Sequence, residues 1–84
     1  MGTGAQAHLR EAVEFHRRFV AGELQVAEQR LAEFERRHGF SSADFERRFE
    51  SGELGDDREW FDWLAEVEAA RALRAKLAAL EGLP

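Results

Sequence analysis

The stretch that decides the fold is residues 36–63, RRHGFSSADFERRFESGELGDDREWFDW. It carries a stop, a start, a second stop and a second start for helices. In "RRHG" (36–39), Arg36, Arg37 and His38 suit the negative end of a helix dipole, and Gly39 supplies a left-handed cap. In "SSAD" (41–44), Ser41 or Ser42 caps a new helix, and Ser41-x-x-Asp44 is close to a capping box. Gly52 closes that helix, and Gly52 and Gly55 permit the backbone angles of a tight reversal. With Asp56 as N-cap, Glu59 stands at N3, and Asp57 and Glu59 lie in the first turn, where the dipole favours carboxylates. The segment predicts a short helix over about 42–51 between two longer ones.

Working outward, the upstream chain reads as helix over about 4–38. Thr3 with Gln6 matches a capping box. The stripe Leu9, Val13, His16, Val20, Leu24, Ala27, Leu31, Phe34 and His38 advances by threes and fours, with one stutter between Val20 and Leu24. Gly22 lies inside the stutter and marks either a local unwinding, which would break the helix in two, or a close contact. Downstream, helix 3 covers about 57–81. Its stripe is Trp60, Trp63, Leu64, Val67, Ala70, Leu73, Leu77 and Leu80, and Gly82 and Pro84 stop it. The fold class is therefore all-α: a long antiparallel, coiled-coil-like helical hairpin, with a short middle helix at the turn. Helix 1, at roughly 52 Å, overhangs helix 3, at roughly 37 Å, at its N-terminal end. Phe40, Phe45, Phe49 and Leu54 are expected to pack around Trp60 and Trp63 at the junction.

Composition sets the bounds. Eighty-four residues without cysteine make one small domain, residues 1–84, marginal alone, so self-association into a homo-oligomer is expected. A net charge of −5 argues against a phosphate-binding surface and suits a basic protein partner. The Arg pairs at 17–18, 36–37 and 47–48 are each flanked by Glu, so solvated ion pairs are expected in place of nucleic-acid contacts. No apolar run approaches the ~18 residues of a membrane span, and no signal-peptide pattern opens the chain, so a cytoplasmic protein is expected.

No catalytic or cofactor motif stands out. His8, His16 and His38 are not spaced as a ligand pair. Glu35-x-x-His38 has the spacing of di-iron helices, but only one such motif is present. Asp56, Asp57, Glu59 and Asp62 lack the spacing of a calcium loop and read as capping residues. A non-enzyme without metal or cofactor is the expectation. The positive signal is surplus apolar surface. Phe15, Phe19 and Val26 fall about a quarter turn from the main helix 1 stripe, and Phe61 falls outside that of helix 3. Phe15 and Phe19 are expected at a partner interface. Phe61 belongs either to an interface or to a wider core covered by helix 2.

The string from His38 to Trp63 resembles a family of small acidic helical prokaryotic proteins, many of them taken to be antitoxins because they are encoded beside a toxin gene. The residues that carry the likeness are His38, Gly39, Phe40, Ser41, Ser42, Phe45, Phe49, Gly52, Glu53, Leu54, Gly55, Asp56, Trp60, Phe61 and Trp63. The resemblance covers about a third of the chain. It implies an antitoxin-like protein that binds and neutralises a toxin by stoichiometric occlusion. A self-associating structural or adaptor protein is the alternative.

Overall fold

The computed structural model describes residues 3–83, with the side chain of Thr3 excepted. Three helices follow one another: α1 (Thr3–His38), α2 (Ser42–Glu50) and α3 (Arg58–Glu81). The Thr3 cap and Pro84 lie outside the described residues. The protein is an all-α helical hairpin, elongated to 61 × 20 × 17 Å. The ion pairs Glu28–Arg74 (3.4 Å), Arg30–Glu66 (3.3 Å) and Arg37–Glu59 run in opposite order along α1 and α3, so the two helices are antiparallel.

The helix ends follow from local chemistry. Gly39, at φ +81°, turns the chain out of α1, and its N–H donates to Glu35 O at 2.8 Å. Ser41 takes an extended backbone, and its side chain accepts from the Asp44 N–H at 3.1 Å. Glu35 reaches across from α1 to accept the Ser42 N–H at 2.7 Å, so two side chains satisfy the first turn of α2. At its other end the Gly52 N–H donates to Phe49 O and the Glu53 N–H to Arg48 O, both at 3.1 Å, with Gly52 at φ +79°. That is a Schellman closure, which needs a left-handed residue at Gly52.

Two expectations need correction. The N-cap of α3 is Asp57, not Asp56, and the Asp57 side chain makes no capping hydrogen bond. Gly55, at φ +80°, completes the reversal before Asp56, which stands exposed. The acidic pair still faces the positive end of α3, where charge alone is favourable. Gly22 does not break α1, which runs on without interruption. A single helical Gly costs about 1 kcal/mol against Ala, less than the burial on either side of it returns.

The core is a seam that thickens at the turn. Val20, Ala27 and Leu31 of α1 and Val67 and Ala70 of α3 are buried. Phe45 and Trp63 are fully buried, stacked 4.2 Å apart at an interplanar angle of 5°. Phe34 stacks on Trp63 at 5.5 Å, Phe40 at 5.3 Å and His38 at 5.3 Å. The Trp63 indole N–H donates to Ser42 Oγ at 3.0 Å, which pins α3 to the first turn of α2. Leu54, Phe49 and Trp60 pack against this cluster, partly buried. The stripe on α1 does not hold to its N-terminal end. Leu9 is exposed near the overhanging end of α1, and His16 is exposed because the covered seam runs through Val13, Arg17 and Val20, with Arg17 in the place the stripe gave to His16.

Candidate protein-interaction surface

The titratable residues at the turn are occupied with structure. Glu59 pairs with Arg37, and its Oε1 lies 3.1 Å from His38 Nε2. The hydrogen bond from Arg37, and then the nearby His38 ring, hold the Glu59 carboxyl below its ordinary value of 4.5. The His38 contact is off-line for a well-directed hydrogen bond, and Nε2 is otherwise without a protein partner, so Arg37 is the stronger cause. Asp62 lies 4.0 Å from Arg58 and lines the groove between α1 and α3. Glu35 is engaged with α2 and not with His38, and His8 and His16 are exposed. Among the described residues, no group of three or more His, Cys, Asp or Glu is placed to hold a metal ion.

Apart from Leu9 and Leu83, the exposed large apolar side chains lie on two separate surfaces. The first is a flank of α1. His8, Ala12, Phe15, Phe19, Gly22 and Val26 follow one another in alternating steps of four and three, a heptad row about a third of a turn from the buried seam. Phe15 is 70% exposed, Phe19 57% and Val26 45%. A Cβ added at Gly22 would meet nothing within 4 Å, so the hairpin itself gives no steric reason for glycine there. Beyond Val26 the row runs into an open groove of about 630 Å³ between α1 and α3, lined by Val26, Arg30, Phe34, Asp62, Ala65 and Glu66 among others. The Arg30–Glu66 pair bridges it.

The second surface is Phe61. Its ring meets Phe49 of α2 edge-on at 5.4 Å, while half of the side chain stays exposed. Phe61 thus belongs to the α2 side of the hairpin and Phe15 and Phe19 to its opposite side, nearer the other end. The three do not lie on one face of the hairpin.

Periodicity located the Phe15–Phe19–Val26 flank, but not the groove that continues it. A groove between two helices depends on their register, which no single helix encodes. Sequence reasoning also missed the Arg48 guanidinium, which sits 4.4 Å over the Phe40 ring; the Arg47–Arg48 pair was the only signal for it. Among the described residues no helix is long and apolar enough to cross a membrane. No family model, no curated protein and no solved structure matches this chain.

Proposed function

We propose that this protein works by binding another protein and that it is antitoxin-like, occluding a basic toxin stoichiometrically in the cytoplasm of a prokaryotic cell, without catalysis of its own. The observation that carries the binding role is the pair Phe15 and Phe19, large aromatics left in water on one flank of α1. Exposed aromatic anchors are the residues that dominate protein interfaces. The net charge of −5 favours encounter with a basic surface. The resemblance of residues 38–63 to antitoxins supports the toxin as partner. Self-association is the second reading, favoured by Gly22, whose lack of a side chain serves nothing inside the hairpin.

The test is co-expression with the product of the adjacent gene. A stoichiometric complex is expected, together with rescue of growth. Phe15→Ala and Phe19→Ala should weaken the complex while leaving the helix content of the isolated protein unchanged. If no complex forms and neither gene affects growth, the antitoxin reading fails.

A further inference from the structure

We infer that the α1 flank is a homodimer seam in which two copies of α1 pack antiparallel, each Phe19 seated over the Gly22 of the other. The inference rests on the reading of this flank as an interface, and it commits the occupant to a second copy of the chain. The row is self-complementary in size in one register. Phe19 falls opposite the second copy's Gly22, Phe15 opposite its Val26 and Ala12 opposite its Gln29, and the two-fold axis repeats each pair. Large thus meets small, and a glycine lets the opposing ring approach the backbone. The alternatives pack worse. Sliding by a heptad one way sets Phe15 on Phe19 and Gly22 on Ala12. Sliding the other way sets Phe15 on Glu33 and Phe19 on Gln29. A parallel pair sets Phe19 on Phe19 and glycine on glycine.

The polar flanks fit the same register. Arg18 meets Gln25 and Glu11 meets Ala32, while His8, opposite the second copy's Glu33, and His16, beside its Glu23, offer imidazole N–H groups to carboxylates, and among the described residues these flanking positions set no like charges against each other. The groove supplies a further reason. In this register the N-terminal turns of the second α1, which α3 leaves uncovered, run along the groove that begins at Val26. The exposed Leu9 of one copy then lies beside Arg30 of the other, at the groove wall.

Sedimentation and crosslinking test this with the intact chain. The wild type is expected to sediment at twice the chain mass. Gly22→Leu should weaken the dimer by about tenfold or more, since it overfills the seat of Phe19. It should keep full helix content by circular dichroism, because Gly22 is exposed, an added Cβ there meets nothing within 4 Å, and leucine favours a helix more than glycine does. The chain has no cysteine, so introduced ones report orientation. Mixed Ala12→Cys and Gln29→Cys chains should form a disulfide with each other, and neither with itself. A monomer at all concentrations, an unchanged Gly22→Leu dimer, or Ala12→Cys crosslinking to itself would each overturn the inference. A monomer that still binds the neighbouring gene product would leave the antitoxin reading standing. A dimer indifferent to that product would do the reverse.

Discussion

Replacing Trp63 by alanine removes the piece around which the turn is assembled. The side chain is fully buried, stacked on Phe45 at 4.2 Å and bonded to Ser42 Oγ at 3.0 Å. Truncating a buried aromatic costs about 3–5 kcal/mol through lost transfer energy and the cavity left behind. Losing the bond that ties α3 to α2 adds roughly 0.5–1.5 kcal/mol. The total, about 3.5–6.5 kcal/mol, stands against a whole-protein stability of roughly 4–13 kcal/mol for 84 residues. Trp63→Ala should therefore lose about half of the stability at mid-range, and unfolds outright where the wild type lies at the low end. Trp63→Phe keeps a ring on Phe45 and loses the N–H and part of the volume, so about 1–2 kcal/mol is expected. Urea melts followed by far-ultraviolet circular dichroism measure both. A loss under about 1 kcal/mol for Trp63→Ala, with an unchanged denaturant slope, would refute the account of the turn as an aromatic core.

The neighbouring tryptophan should behave differently. Trp60 Nε1 is buried without a protein hydrogen-bond partner, so Trp60→Phe removes an unsatisfied donor and should shift stability by less than about 1 kcal/mol; a larger loss in the same melts would mean that Nε1 is satisfied after all. Ser41→Ala should cost about 0.5–2 kcal/mol by removing the cap on α2, whereas Asp56→Ala should stay within about 0.5 kcal/mol, and the reverse order in thermal melts would restore Asp56 as the cap. Because Glu59 has a folded-state pKa below its ordinary 4.5, its contribution is present above that value and is lost as pH falls through the folded pKa. Melting temperature should accordingly drop from roughly pH 5 downwards, and Glu59→Gln should flatten that drop; an unchanged slope would show that the Arg37 contact does not persist in solution.

Much of the fold was decided by local chemistry. Gly39, Ser41 and Gly52 end and begin helices through bonds made within a few residues, so their roles were legible before any packing was known. The stripes on helices 1 and 3 likewise made an antiparallel hairpin the economical solution, since each buries the other's apolar face. Tertiary structure decided what depends on register and distance. It moved the α3 cap to Asp57, which keeps an extended backbone while its carbonyl accepts the Trp60 N–H at 3.0 Å. It recruited Glu35 from α1 to cap α2, an arrangement that requires the two helices to meet. It left Leu9 in water, because periodicity records which face is apolar but not how far a partner helix extends, and it put Arg17 rather than His16 on the covered seam. It also parted Phe61 from Phe15 and Phe19. A sequence fixes a residue's angle on its own helix, but which side of the hairpin that angle becomes depends on where α2 folds back.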